Sequence, residues 1–530
     1  MFVPLFLLTS TIRAQIDTGQ VSGTISDPSG SVVAGVTLTA RNLGTNAKRT
    51  TTAAENGLYS FPDLPAAKYE IRVESPGFAP FTQQVEVTVG SHITMNVKLS
   101  VASTSQQVTV SAGGDTGVNT QSQELSQIVG SEQVSQLPSL TRNPYDFVAI
   151  SGNVSNGDRA QGHDQNSTSR GVSFSLNGQR STGTDILLDG VENIELFNDA
   201  VGQPVPIDSV QEYRVLTSNF GAQYGRASGG VVNVITKSGT NSIHGSAWEF
   251  NRLSAYTSNT FDNNANGIPK GTYTRNQFGF AAGGPIIKDK LFFFESTEWL
   301  RTRSSANSIA LVPDPAFIAA ASPNTQAFFA AYGQNQPAAN RGVITQSQIV
   351  QSSNTPFEKL FSALAPGTPV FDRVSYTSPT DAGGGPPTNQ FSLNGRVDYD
   401  FTDKTQTYVR YALQKLTNTN GFDSSSPYPQ FNIGDDATNN SVLWNISHIF
   451  NAHLLTNTKL SYTRFNLNQT FDTALQGAPV LYLFPGATIL GTPAIFPGFW
   501  GNNPDAFSNG LPFGGPENTI QWNQDLNYSR

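Results

Sequence analysis

Between residues 391 and 401 apolar and polar positions alternate without a break, Phe391-Ser-Leu-Asn-Gly-Arg-Val-Asp-Tyr-Asp-Phe401. Phe391, Leu393, Gly395, Val397, Tyr399 and Phe401 share one face, and Ser392, Asn394, Arg396, Asp398 and Asp400 the other. A period of two over this length predicts a β-strand, greasy on one side and wet on the other, long enough to cross a bilayer at a tilt. After the turn Thr402-Asp403-Lys404, a second strand sets Val409, Tyr411 and Leu413 opposite Tyr408, Arg410 and Gln414. Similar runs lie near 242–252, 273–283, 290–303, 441–450 and 454–467. Their connections alternate in length: 284–289, 402–404 and 451–453 are brief, whereas 253–272, 304–390 and 416–440 are extended. Soluble sandwiches alternate too, but short turns at one end with long loops at the other are the mark of a membrane barrel. A sandwich seldom carries a loop as long as 304–390.

Nearer the N-terminus the pattern changes. From residue 15 to about 100, short alternating runs are divided by turn signals at close intervals, which predicts a compact antiparallel β-sandwich. Val36, Leu38 and Ala40 share one strand face, Tyr69, Ile71 and Val73 another, and Asp27-Pro28-Ser29-Gly30, Asn56-Gly57 and Ser75-Pro76-Gly77 supply the turns. Residues 101–106 are small and polar, as a linker should be. They lead into a β-prone run, Gln107, Val108, Thr109, Val110, Ser111 and Ala112, followed by Gly113-Gly114. Such a run between flexible residues can pair its backbone with another sheet's edge. Residues 119–240 mix one predicted helix, near Leu125 to Leu137, with strands such as Asp185-Ile-Leu-Leu-Asp189 and Gly229-Gly-Val-Val-Asn-Val-Ile-Thr236, so an α+β domain is expected there. The fold class is thus mainly β: a sandwich over 15–100, a linker over 101–118, an α+β domain over 119–240 and the first strands of a transmembrane antiparallel barrel over 241–530.

Composition sharpens this picture by exclusion. The net charge of -8 comes from 39 acidic and 31 basic residues scattered along the chain, with no basic run of the kind nucleic acid requires. Cysteine is absent, which removes disulfides, thiolate metal sites and cysteine nucleophiles. The five histidines, His92, His163, His244, His448 and His453, lack metal-ligand spacing, and no nucleophile elbow, Walker loop or dinucleotide fingerprint occurs. No catalytic residue, metal or cofactor is expected, and the chain reads as a non-enzyme. The apolar opening of residues 1–14, closed by Ala14, reads as an export signal too short to span a bilayer.

Particular strings carry resemblances. Val21-Ser-Gly-Thr-Ile-Ser-Asp-Pro-Ser-Gly30, Asn56-Gly-Leu-Tyr-Ser-Phe61, Tyr69-Glu-Ile-Arg-Val73 and Gly77-Phe78 resemble the carboxypeptidase regulatory-like domain, departing at Pro65-Ala-Ala-Lys68. That resemblance implies a transthyretin-like sandwich and no peptidase activity; Tyr59, Phe61, Tyr69 and Phe78 are expected in its core rather than as a sugar platform. Ser175-Leu-Asn-Gly-Gln-Arg180, Asp185-Ile-Leu-Leu-Asp-Gly-Val191, and Val210-Gln-Glu-Tyr-Arg-Val215 running to Tyr224-Gly-Arg-Ala-Ser-Gly-Gly-Val-Val-Asn-Val-Ile-Thr-Lys237 resemble the plug domains of TonB-dependent receptors, and the sandwich–plug–barrel order resembles their Oar-like subgroup.

The resemblance marks Asp189, Gly190, Tyr224, Gly225, Gly229, Gly230 and Asn233 as plug-motif residues and makes Gln107–Ala112 a candidate TonB box. It implies three partners: the periplasmic energy-coupling protein TonB, outer-membrane lipid, and an extracellular ligand that the sequence does not identify. Gly225, Gly229 and Gly230 are expected to adopt unusual backbone angles and permit close backbone approach, an ordinary glycine-rich hairpin being the alternative. Arg180, Asp189, Glu212, Arg214 and Arg226 are candidates for seating the plug in the lumen, solvated surface charge being the default reading of each. A non-transporting adhesin built on the same barrel is the rival reading. Seven strands do not close an even-numbered barrel, so the sequence is expected to be the N-terminal part of a longer chain; the family's 22 strands would need roughly 700 residues beyond the plug.

Overall fold

The structure, a computed structural model, describes residues 18–528 apart from 102–107, 111–122, 140–141, 157–173, 197–199, 260, 266, 268, 335–338, 353–354, 423–424, 430–431, 452–453, 471–480 and 497–512. The expected export signal lies outside the described residues, as do Gln107, Ser111 and Ala112.

Eight strands form a continuous antiparallel wall in sequence order: His244–Leu253, Thr272–Ile287, Leu291–Pro313, Thr388–Thr402, Thr405–Asn418, Gly434–Asn451, Leu454–Thr470 and Phe513–Tyr528. The first seven are the predicted runs, mostly lengthened; the eighth follows where only the start of a strand was expected. The wall inverts the polarity of a soluble protein. Val397, Val409, Tyr411, Trp444 and Leu460 are exposed, whereas Asn394, Arg410, Ser441, Lys459 and Ser461 are buried. Polar residues face an occupied lumen and apolar ones face outward, as lipid requires. Among the described residues no helix is long and apolar enough to cross a membrane.

The long connection 304–390 carries strands and helices of its own. Leu291–Pro313 runs well past the predicted strand end and pairs there with Pro369–Pro379, which also pairs with Ala339–Thr345. Among the described residues four short α-helices and a 3-10 turn lie between, and Phe317, Phe329, Phe361 and Phe371 pack with Tyr428, Leu483 and Phe496 from two other connections. Phe317 and Phe496 stack at 4.7 Å. Three loops thus share one apolar core, which compensates the entropy of ordering them.

The N-terminal unit is a two-sheet sandwich around Val21, Ile25, Leu38, Tyr59, Phe61, Tyr69, Ile71 and Val73. One sheet holds Leu58–Pro65, Thr18–Ser26, His92–Thr94 and Val97–Lys98; the other runs Lys48–Thr52, Thr37–Asn42, Ala67–Glu74, Phe81–Val87, Val108–Val110. It is not purely antiparallel. Thr18–Ser26 pairs in parallel with His92–Thr94 and Val97–Lys98, because the chain crosses between sheets at residues 88–91.

The middle unit centres on a five-stranded sheet, in order Leu125–Gly130, Val210–Ser218, Gly230–Thr236, Thr184–Leu188, Val191–Glu192. The helix predicted over Leu125 to Leu137 is half wrong. Ile128 and Val129 pair with Arg214 and Tyr213 in the sheet, and the helix is only Ser131–Gln136. β-Branched residues beside a strand edge gain more from the ladder than from two turns of helix. The core of this unit, including Tyr145, Phe174, Ile186, Tyr213 and Val232, also takes in Ala412 from the wall.

Candidate functional site

The Asp189-Gly190 pair forms the hairpin between Thr184–Leu188 and Val191–Glu192, where Leu188 pairs with Val191. Their φ angles of +53° and +74° are those of a type I′ turn, for which Asp-Gly is a favoured dipeptide. The turn is tied to its own sheet: Asp189 donates its N–H to Val234 O at 2.8 Å, and Gly190 donates to Asn233 Oδ1 at 3.3 Å. The Asp189 carboxylate accepts from Thr236 N at 2.8 Å and from Thr236 Oγ1.

This tip meets the wall's basic side chains. Arg410 Nε, fully buried, lies 3.1 Å from Asp189 Oδ2, an ion pair set off the axis of a hydrogen bond. Arg396 Nη1 lies 3.9 Å from Asp189 Oδ1 and donates to Thr236 O at 3.3 Å, while its guanidinium pairs with Asp398 and lies over the Tyr408 ring. Lys459 Nζ donates to Asp189 O at 3.0 Å. Burying these charges is tolerable because Arg410 and Arg396 face the Asp189 carboxylate, Arg396 also holds Asp398, and Lys459 meets the Asp189 carbonyl. The plug-motif residues Asp189, Gly190 and Asn233 therefore form one constellation.

The other motif residues do different work. Tyr224 is buried with Leu187, Leu216 and Val231. Gly225, Gly229 and Gly230 do not adopt the unusual backbone angles expected of them, for none has a positive φ. Gly229 and Gly230 serve close approach: a Cβ on Gly230 would lie 2.5 Å from Leu176 Cδ2 and 2.7 Å from Leu216 O, and one on Gly229 would lie 3.0 Å from Gln179 Cβ. Gly225 meets only Ala222 O at 3.6 Å and has no such reason. Of the charged candidates, Arg226 pairs with Glu192 within the middle unit and Arg180 is exposed.

A second seat was not foreseen. Arg142 pairs with Asp208 at 2.5 Å and with the wall's Glu298 at 3.5 Å, and its guanidinium lies 4.3 Å from the Phe250 ring centroid. No local pattern marks residues 156 positions apart as partners.

Glu212 and Arg214 face the sandwich rather than the wall. Glu212 Oε1 accepts from Val89 N at 2.5 Å, and burial pushes its carboxyl up to about 7, against the lowering effects of that hydrogen bond and of Arg214. The sandwich also touches the wall's turns, with Asn46 Nδ2 donating to Asp289 Oδ1 at 3.0 Å and Arg49 Nη2 to Gln406 Oε1 at 2.7 Å. Of the candidate box, Val108–Val110 is a strand of the sandwich's second sheet. Among the described residues there is no group of three or more side chains able to hold a metal.

Residues 235–530, more than half of the chain, match the family described as outer membrane beta barrel domain. The chain belongs to that family. Residues 20–100 of this outer-membrane barrel protein match the carboxypeptidase regulatory-like domain, the resemblance read from its turns. It is 26% identical over 293 residues to the TonB-dependent transporter Oar of Myxococcus xanthus, covering 52% of this chain and 26% of that protein. It is 40% identical over 90 residues to the probable TonB-dependent siderophore receptor PirA of Acinetobacter baumannii, covering 17% of this chain and 10% of that protein. The crystal structure of PirA covers 77% of this chain and 46% of its own, at 16% identity and a TM-score of 0.42. The chain spans about a quarter of the length of Oar and a tenth of that of PirA. The expected resemblance to TonB-dependent receptors of the Oar type is upheld by these relatives, which are named as transporters and receptors rather than as enzymes.

Proposed function

We propose that this protein is a TonB-dependent outer-membrane transporter that takes up an extracellular ligand, with residues 107–112 as the segment on which the periplasmic protein TonB acts. One observation carries the reading: a separate α+β unit sits against the polar face of the wall through a buried ionic seat, Asp189 against Arg410, Arg396 and Lys459. Passage through such a barrel requires work on the plug, and the outer membrane holds no ion gradient or ATP of its own. A structural adhesin has no use for that arrangement. The name of PirA carries a siderophore as ligand; the chemistry of this chain's plug does not select one class.

A segment engaged by strand addition is held through its backbone, so proline disrupts it while alanine does not. In the full-length protein, Val108→Pro or Val110→Pro abolishes capture by the isolated periplasmic domain of TonB, while Val108→Ala and Val110→Ala retain it. Barrel assembly, read by heat-modifiable gel migration, survives all four changes. Capture of the proline variants at the wild-type level would leave the segment as a linker.

A further inference from the structure

The strand Val108–Val110 is the last in its sheet and pairs in parallel with Phe81–Val87, through Phe81↔Val108, Thr82↔Thr109 and Gln83↔Val110. Phe81–Val87 is itself held over seven pairs by Ala67–Glu74. At its far end the chain turns through residues 88–91, where Ser91 Oγ donates to Thr88 O at 2.7 Å. That turn is what meets the plug. Val89 donates to Glu212, and Gly90, at φ +60°, lies so close to Arg214 that a Cβ there would sit 1.3 Å from Nη1. Arg214 is ion-paired to Glu124 at 2.9 Å with only 5% of its side chain exposed. Glu212 and Arg214 belong to Val210–Ser218, which pairs with both Leu125–Gly130 and Gly230–Thr236. One sandwich strand therefore carries the candidate box along its edge and, just past its end, the contact with the plug's central sheet.

We propose that the sandwich is the handle of the plug: a pull on residues 108–110 passes through Phe81–Val87 to the turn at 88–91 and is delivered to Glu212 and Arg214, with the box strand still on the sandwich. This rests on the coupling reading above. Among the described residues no strand pairs with the outer edge of Val108–Val110, so an extended segment of TonB adds there as a further strand. The competing route runs along the chain from Val110 into Leu125–Gly130. It would load the plug at Leu125↔Ser218, the opposite end of the same ladder from Gly130↔Glu212. The two routes therefore pull one strand from opposite ends.

The chain has no cysteine, so Gln83→Cys with Val110→Cys introduces the sole possible disulfide, between directly paired positions. The full-length protein is held in a lipid bilayer and pulled with the isolated periplasmic domain of TonB fixed to a force probe. Oxidation pins the box strand to the sandwich, so a pull on it is borne by Phe81–Val87 and the handle route is the one loaded. The plug is expected to be extracted from the oxidised protein at the force and with the extension seen after reduction. Glu212→Ala and Arg214→Met each lose the first force peak, while the folded fraction by heat-modifiable migration stays as in wild type. Extraction that fails on oxidation and returns on reduction overturns the proposal, as does a first peak that persists in both variants. How often the probe attaches reports the coupling reading separately: attachment to Val108→Pro at the wild-type frequency sinks that reading, whereas normal attachment with an unaltered first peak in the Glu212 and Arg214 variants sinks the handle alone.

Discussion

Asp189→Asn isolates the charge at the plug seat. Asparagine has the same shape, tolerates the φ of +53° found there, and keeps an oxygen to accept from Thr236 N. What it removes is the negative charge 3.1 Å from Arg410 Nε, a guanidinium with no exposed surface. Breaking a buried pair by deleting one partner costs about 3 to 5 kcal/mol, because the other charge is left uncompensated. Arg396 retains Asp398, so the loss falls mainly on Arg410, and the low end, about 3 kcal/mol, applies. At 1.4 kcal/mol per factor of ten, that is roughly a hundredfold rise in the opening constant of the plug tip.

Hydrogen exchange on the full-length protein in detergent reads this directly. Peptides covering residues 184–190 and 230–236 should exchange about a hundredfold faster in the variant, while wall strands such as Thr405–Asn418 keep their protection. A double-mutant cycle with Arg410→Met checks the cause: once Arg410 is gone, Asp189→Asn should cost about 1 kcal/mol or less. Exchange at the tip unchanged within about threefold would refute the argument that this pair holds the plug in place.

Three further outcomes are expected. Val397 points outward and Asn394 is fully buried on the lumen side, so in the complete barrel Val397→Arg should cost about 2 to 4 kcal/mol and Asn394→Ser much less; equal effects on heat-modifiable migration would contradict the faces. Residues 15–100 expressed alone should give a cooperative β-type melt, since the sandwich holds its own core; a disordered spectrum would remove the boundary proposed at 101–106. Docking of the sandwich on the plug should weaken as pH rises, because burial pushes the docked Glu212 carboxyl up to about 7 and exposing it to water on undocking lowers it toward the ordinary carboxylate range. Docking then takes up a proton between those values, and each unit of rise there costs up to about 1.4 kcal/mol. Thermal stability should therefore fall from pH 5 to pH 8, Glu86 and Arg214 being the charges facing the site, and Glu212→Gln should flatten the profile; an equal fall in that variant would exclude Glu212 as its source.

Strand faces were legible because the wall divides two unlike media, and a period of two in polarity reports that division residue by residue. Thus Val397 and Val409 were placed outward, and Ser392, Asn394 and Arg410 inward, from the sequence alone. The folded cap over 304–390 was not legible. Its core draws Phe317, Tyr428 and Phe496 from three connections, and none of these segments is periodic enough to announce what it packs against. The strand Leu125–Gly130 was missed for a related reason: its run is short, and its pairing partner Val210–Ser218 lies some ninety residues away.

The plug seat shows where sequence reasoning stops in principle. Polarity tells that Arg396, Arg410 and Asp398 face something wet, but lumen water and a buried carboxylate leave the same imprint on a strand. Asp189 was marked by the resemblance of its string, and solvated charge was the default reading of the residue itself. Only the fold decides, by bringing a type I′ turn to within 3.1 Å of a guanidinium more than two hundred positions along the chain. The same limit explains Arg142 and Glu298, each ordinary in its own segment and paired only across the plug–wall seam. Contacts that hold a plug in a barrel join units that are patterned independently. The sequence therefore reveals the two surfaces sooner than it reveals which residues of one meet which residues of the other.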